Sequence, residues 1–91
     1  MQTIRIHIKG KVQGVFYRQS TKEKADSLGI KGEVKNCDDD DSVEIIATGG
    51  KEQLDKLIEW CRQGPPRAVV ADISTQELPL QEFINFTIVR H

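Results

Sequence analysis

The stretch that decides the fold runs from Ile4 to Gly29 and reads IRIHIKGKVQGVFYRQSTKEKADSLG. Up to Lys9, isoleucine alternates with charged or imidazole side chains, the period-two pattern of a strand with one face on a core. Further on, apolar or small residues recur near one helical face: Tyr17, Thr21, Ala25 and Leu28. Gly29 is placed to end that helix. The stretch therefore predicts a strand, a loop that contains glycine, and a helix over Arg18–Leu28.

The rest of the chain repeats the same two periodicities. Strands are predicted at Ile30–Asn36 and around Val43–Ala47, joined as a hairpin by the acidic segment Cys37–Ser42. A second helix is predicted where apolar residues follow i, i+3, i+4, i+7 spacing before a Gly-Pro-Pro stop: Leu54, Leu57, Ile58 and Cys61. Alternation predicts two last strands, at Val69, Ala71 and Ile73 and at Ile84, Phe86 and Ile88.

This order of elements predicts an α+β fold. It runs strand, helix, strand, strand, helix, strand, with an extra C-terminal strand, and helices this short bury their apolar faces only against a sheet. We therefore expect a ferredoxin-like two-layer α/β sandwich, with an antiparallel sheet covered on one face by two helices. The 91 residues fit a single domain spanning 1–91.

Composition excludes several classes of protein. Hydrophobic residues make up 37% and charged residues 30%, which is too apolar for a disordered chain. A net charge of -1 disfavours bulk binding of nucleic acid, because no overall positive field attracts a polyanion. The N-terminus lacks the apolar run of a signal peptide, and no segment approaches the roughly 20 apolar residues of a membrane span. A cytoplasmic protein without a membrane partner is expected.

The cysteines and acidic residues predict no metal site. Cys37 and Cys61 stand 24 positions apart, without a histidine at zinc-finger spacing, so neither a disulfide scaffold nor a metal cluster is indicated. Asp38, Asp40 and Ser42 match the first alternating ligands of a calcium loop, but Gly49 stands where the closing glutamate belongs, which favours a solvated turn. His7 and His91 have no catalytic partner in the sequence and are expected at the surface.

The loop between the first strand and helix, Gly10–Arg18, is the candidate binding segment. A strand-to-helix turn directs unpaired backbone N–H groups outward, and the helix dipole adds partial positive charge. Gly14 allows close approach of a ligand, and Arg18 offers a two-pronged donor to phosphate oxygens. The loop is neither a Walker A sequence nor a dinucleotide fingerprint, so from its residues alone it is either a phosphate site or a solvated connection.

A resemblance bears on these two alternatives. Gly10–Arg18, followed eighteen positions after Arg18 by Asn36 within GEVKN, resembles the two signature segments of the acylphosphatase family. The likeness extends over nearly the whole chain, through Ala25, Leu28-Gly29, Val43-Glu44, Gly49, Gly64-Pro65 and the final Phe86–Arg90.

The resemblance implies a ferredoxin-like enzyme that hydrolyses the carboxyl-phosphate bond of acyl phosphates, giving a carboxylate and inorganic phosphate. It implies that the enzyme uses no metal and no organic cofactor, and we expect the protein to be a monomer. Arg18 matches the phosphate-binding arginine of the family, and Asn36 matches the asparagine that orients the attacking water. The phosphate-binding cradle then comprises Gln13, Gly14, Val15, Phe16, Tyr17 and Arg18.

Three departures from the family pattern and two rival functions bear on this interpretation. Glu33 stands where an aromatic or small apolar residue is usual, which predicts a more exposed strand face there. Tyr17 stands where Phe is usual, so a packed ring needs a partner for its hydroxyl. The hairpin Cys37–Ser42 is one residue longer than usual and lacks glycine, which disfavours a tight type I′ turn. An RNA-binding module is disfavoured because the strands offer no exposed aromatic pair. A non-catalytic anion-binding or regulatory module remains the alternative function.

Overall fold

The computed structural model describes residues 1–38 and 40–90. The predictions for His91, and for Asp39 within the hairpin, lie outside the described residues. Within them the chain forms five strands and two helices: β1 (Gln2–Lys11), α1 (Tyr17–Ser27), β2 (Lys31–Asn36), β3 (Ser42–Gly49), α2 (Lys51–Cys61), β4 (Val69–Leu78) and β5 (Phe86–Ile88).

The strands form one sheet in the order β4-β1-β3-β2-β5. β1 pairs antiparallel with β3 and β4, and β2 pairs antiparallel with β3. The predicted ferredoxin-like α+β sandwich is confirmed. The sheet is nevertheless mixed rather than wholly antiparallel, because β5 pairs with β2 in parallel. The chain crosses from the β4 edge to the opposite edge after Leu78, so β5 enters beside β2 and runs in the same direction.

The core lies between the helices and one face of the sheet. Ile4, Ile6 and Ile8 of β1 are buried, as their alternation predicts, and each fully buried large side chain contributes roughly 1.5–3 kcal/mol. Both helices add their predicted faces to the same cluster: Tyr17, Thr21 and Ala25 from α1, and Leu54, Leu57 and Cys61 from α2. The opposite face of the sheet carries no helix in the described part of the chain.

Tyr17 joins the two helices. Its ring is 1% exposed, its hydroxyl donates a 2.7 Å hydrogen bond to the Cys61 carbonyl, and its centroid lies 5.6 Å from that of Trp60. The hydroxyl that the sequence left without a partner therefore has one. Burial raises the pKa of the Tyr17 phenol above its ordinary value.

The two late strands differ from expectation. Val69 is 61% exposed, whereas Val70 and Ile73 pack on the core, because a β-bulge at Lys9/Gly10 shifts the register of β4. Ile84 is 90% exposed and precedes β5, so its predicted place on the core face was wrong. Both segments belong to sheet edges, where one neighbouring strand is missing and a simple alternation is less constrained.

The connection between β2 and β3 is wider than a two-residue turn. The Cys37 N–H donates a 2.9 Å hydrogen bond to the Ser42 carbonyl, which leaves four residues between the two. This agrees with the prediction that a tight type I′ turn does not form here. The connection lies at the end of the sheet next to the β1–α1 loop.

Candidate active site

The β1–α1 loop has an unusual backbone at two positions. Gly14 has a φ of +73°, and Phe16, the N-cap of α1, has φ 64° and ψ 22°. Phe16 is the one non-glycine residue with positive φ in the part of the chain that the structure describes. Left-handed residues in a turn direct neighbouring N–H groups towards a common centre, which makes a concavity suited to an anion. The loop therefore has the backbone form of an anion cradle.

A cavity of about 440 Å³ opens against this loop. Its lining residues come from the loop, the start of α1, the end of β2 and the segment after β5: Val12, Gly14, Phe16, Tyr17, Arg18, Gln19, Asn36 and Arg90. Arg18 and Asn36, which belong to the two separate motifs of the family likeness, thus meet at one cavity. Phe16 is 73% exposed and places an apolar ring at the same cavity.

Arg18 is the second residue of α1, where the helix dipole favours a bound anion. Its side chain is partly buried, and among the described residues it makes neither a hydrogen bond nor an ion pair. All five N–H donors of its guanidinium are therefore available to a ligand in the cavity. A planar guanidinium can bind two phosphate oxygens at once.

Asn36 is the last residue of β2, paired with Val43 on the helix side of the sheet. Its Oδ1 is buried and has no hydrogen-bond partner among the described residues. An unsatisfied buried oxygen costs about 1–3 kcal/mol, so such an atom in a folded protein calls for a role. Asn36 also lines the cavity, where its carboxamide can hydrogen-bond to a water molecule.

Two of the six predicted cradle residues do not line the cavity. The Gln13 N–H donates to Asp41 Oδ1 at 3.3 Å, and its side-chain amide donates to the carbonyls of Cys37, Asp40 and Ser42 at 3.0, 3.1 and 2.8 Å. Val15 is packed in the core. Gln13 therefore braces the loop against the β2–β3 connection, and Gly14, Phe16, Tyr17 and Arg18 are the predicted residues that reach the cavity.

Arg90 is the charged residue among the three lining residues that sequence reasoning missed; the other two are Val12 and Gln19. The Val89 N–H donates a 2.9 Å hydrogen bond to the Val34 carbonyl and so holds the segment after β5 beside β2. This brings Arg90 to the cavity that contains Arg18. The Phe86–Arg90 segment belongs to the family likeness, but nothing in its local pattern indicates which residues it meets. Two arginines at one cavity concentrate positive charge in a chain whose net charge is -1.

Comparison with known proteins identifies the family. The family model described as Acylphosphatase matches residues 4–88. This chain belongs to the acylphosphatase family. An acylphosphatase from Marinobacter nauticus is 54% identical over 80 residues, covering 87% of this chain and 86% of the relative. One from Methylococcus capsulatus is 41% identical over 91 residues, covering 99% and 98%.

Solved structures of acylphosphatases agree with the fold. The Bacillus subtilis enzyme superposes with a TM-score of 0.94 at 38% identity, covering 99% of this chain and all of that one. The Coxiella burnetii acylphosphatase gives a TM-score of 0.92 at 35% identity, covering 97% and 92%. This chain is accordingly an acylphosphatase-family enzyme that hydrolyses acyl phosphates, and none of these likenesses favours the non-catalytic alternative.

No helix in the described residues is long and apolar enough to cross a membrane.

Proposed function

We propose that the phosphoryl group of an acyl phosphate binds in the cavity between the β1–α1 loop and the end of β2. Arg18 would bind its oxygens, and Asn36 would hold the attacking water. The observation that supports this most is that both side chains line one cavity with their polar groups unengaged: the Arg18 guanidinium, and the buried Asn36 Oδ1. Unengaged polar groups from two separate elements are what a polar ligand between them would satisfy.

The backbone of the loop would supply further donors. The left-handed residues Gly14 and Phe16 and the N-terminus of α1 direct N–H groups towards the equatorial oxygens. Phosphoryl transfer depends mainly on positioning and on stabilising charge at these oxygens, and a guanidinium with preorganised N–H groups provides both. Gln13 and Val15 would act by holding the loop in shape, since neither lines the cavity.

The reaction needs no strong acid or base from the protein. Water attacks phosphorus in line with the acyl oxygen, a new O–P bond forms, and the acyl O–P bond breaks. The leaving carboxylate has a conjugate acid with a pKa of about 4, so it departs without protonation. Asn36 cannot take up a proton usefully, and the water's proton passes to a phosphate oxygen of the substrate, while the amide keeps water in line.

The acyl group would extend towards Phe16, whose exposed ring offers an apolar surface at the cavity.

We further propose that the enzyme acts as a cytoplasmic, single-domain monomer that does not bind nucleic acid. Both cysteines are free thiols, as is usual in a reducing compartment, and the net charge of -1 provides no overall attraction for a polyanion. Light scattering of the purified protein tests the oligomeric state.

The deciding experiment measures phosphate release from benzoyl phosphate by the purified protein in excess chelator. We expect chelator-resistant turnover and competitive inhibition by inorganic phosphate, because the product would occupy the site of the substrate's phosphoryl group. Activity that disappears on chelation, or phosphate inhibition that is unchanged when Arg18 is replaced, would contradict this assignment.

A further inference from the structure

Three side chains that the reaction does not use meet on the helix-free face of the sheet. His7 lies in β1 between the buried Ile6 and Ile8, so its side chain points away from the core. Cys37 directly follows Asn36, the last residue of β2, and Asp40 lies in the connection to β3. One potential ligand atom from each of His7, Cys37 and Asp40 lies within 4.8 Å of the others. We call these three residues the hairpin cluster.

Ser42 holds two members of the hairpin cluster side by side. It is the first residue of β3 and is fully buried. Its Oγ lies 3.0 Å from His7 Nε2 and also donates a hydrogen bond to Asp40 Oδ1. One hydroxyl therefore orients both an imidazole and a carboxylate. Hydrogen bonds of this kind are what fix histidine and carboxylate ligands around a metal ion.

Gln13 holds the backbone that carries the other members. Its side-chain amide donates to the carbonyls of Cys37, Asp40 and Ser42. The Cys37 N–H in turn donates to the Ser42 carbonyl at 2.9 Å. The two hairpin ligands are thus anchored to the β1–α1 loop as well as to β3, which limits the reorganisation that ion binding would require.

The donor set selects a class of ion. A thiolate, an imidazole and a carboxylate are ligands of borderline divalent cations such as Zn²⁺, whereas Ca²⁺ and Mg²⁺ prefer oxygen ligands throughout. Donors around a tetrahedral zinc ion lie about 3.5 Å apart, and the three donor atoms of the cluster already lie within 4.8 Å of one another, so only a small contraction is needed. The carboxylates of Asp38, Asp40 and Asp41 place negative charge around this point, which favours a cation.

We propose that His7, Cys37 and Asp40 bind one tetrahedral divalent cation of the zinc class, with water as the fourth ligand. This site is separate from the catalytic cavity, because none of its three residues lines that cavity. It is independent of the proposed chemistry, which continues without metal. Binding to the native state alone would stabilise the fold as the free ion concentration rises above its dissociation constant.

The test titrates the untagged protein with Zn²⁺ and with Co²⁺ in a non-chelating reductant. We expect one ion per chain, intense visible absorption from tetrahedral Co²⁺, and a sulfur-to-cobalt charge-transfer band. Cys37→Ser should abolish that band, and His7→Gln and Asp40→Asn should each weaken Zn²⁺ binding at least tenfold, measured by competition with a chromophoric chelator.

Two control variants separate this site from general effects. Cys61→Ala removes the other thiol, which is buried in the core, and Asp41→Asn removes one negative charge from the same connection without touching the hairpin cluster. Both should retain the charge-transfer band and an affinity within about threefold of the wild type. Circular dichroism checks that each variant is folded. Absence of saturable binding, a spectrum without the sulfur band, or equal losses in Asp40→Asn and Asp41→Asn would overturn the proposal.

Discussion

The Gln13 side-chain amide donates a 2.8 Å hydrogen bond to the Ser42 carbonyl, and so connects the β1–α1 loop to the first residue of β3. The same amide also donates to the carbonyls of Cys37 and Asp40. One side chain therefore fixes the position of the loop relative to the end of β2, where Asn36 lies. The distance between the two halves of the proposed active site depends on this contact.

Gln13→Ala should loosen that connection. The loss of these hydrogen bonds is expected to lower the free energy of unfolding by about 1–2 kcal/mol. It should also lower kcat/KM for benzoyl phosphate, because the loop is no longer held at a fixed position relative to Asn36. Urea denaturation and initial rates measure the two effects. Gln53→Ala, at an exposed position of α2, is the control and should change neither. An unaltered kcat/KM in Gln13→Ala would exclude the bracing role.

Arg18→Lys should lower kcat/KM roughly 100-fold or more, since an ammonium keeps the charge but loses the fork that binds two phosphate oxygens. Inhibition by inorganic phosphate should weaken in parallel. Arg62→Lys is a matched control on the exposed residue after α2 and should behave as the wild type. Near-normal turnover in Arg18→Lys would reject Arg18 as the phosphate-binding residue.

Gly14→Val tests the cradle, and Gly29→Val is its matched control. Both glycines have φ near +70°, and a Cβ added at either meets no atom within 4 Å. Each substitution should cost at least about 1–2 kcal/mol of stability through backbone strain rather than collision. Only Gly14→Val should weaken phosphate inhibition, because only Gly14 lines the cavity. Equal phosphate affinity in the two variants would place the cradle elsewhere.

Asn36→Ala should lower kcat about 100-fold or more while phosphate inhibition stays close to wild type, because the residue is proposed to position water rather than to bind substrate. Asn36→Asp nearly preserves the shape but adds negative charge beside an anionic substrate, so it should be inactive and bind phosphate poorly. Steady-state kinetics with phosphate as inhibitor separate the two outcomes. Wild-type activity in Asn36→Asp would instead assign the step to a carboxylate base or to another residue.

Ionisation of the Cys61 thiol is expected to lower the free energy of unfolding at high pH. Burial raises the pKa of its thiol from 9.0 to about 12, so the unfolded chain ionises first as the pH rises. The contribution of this thiol to the free energy of unfolding is therefore constant below pH 9. Between pH 9 and 12 the free energy of unfolding falls by roughly 1 kcal/mol per pH unit, because the unfolded chain has released a proton that the folded chain still holds. Unfolding free energies from pH 7 to 10.5 should fall less steeply in Cys61→Ala. Leu57→Ala, a neighbouring core truncation without a titratable group, should keep the wild-type slope.

Local periodicity predicted most of the fold. The alternation in Ile4–Lys9 and the helical spacing of Leu54, Leu57 and Cys61 each reflect one face of one element against the core, and the structure buries those faces. Periodicity was less informative at the sheet edges. The phase of β4 changes at a bulge where Ala71 has no partner in β1, and Ile84 lies outside the sheet, and simple alternation along either segment shows neither fact.

By itself, the sequence determined the order of the elements, the core-facing residues of the central strands and helices, and the pairing of Arg18 with Asn36 through two family motifs. Only the tertiary structure decided that β5 runs parallel to β2, that Gln13 braces the hairpin, and that Arg90 enters the cavity. The same is true of the hairpin cluster, whose members showed no metal-ligand spacing along the chain. The physical reason is that periodicity reports which way a side chain faces within its own element, whereas contacts between elements depend on register and crossing direction, which the packing of the whole chain sets.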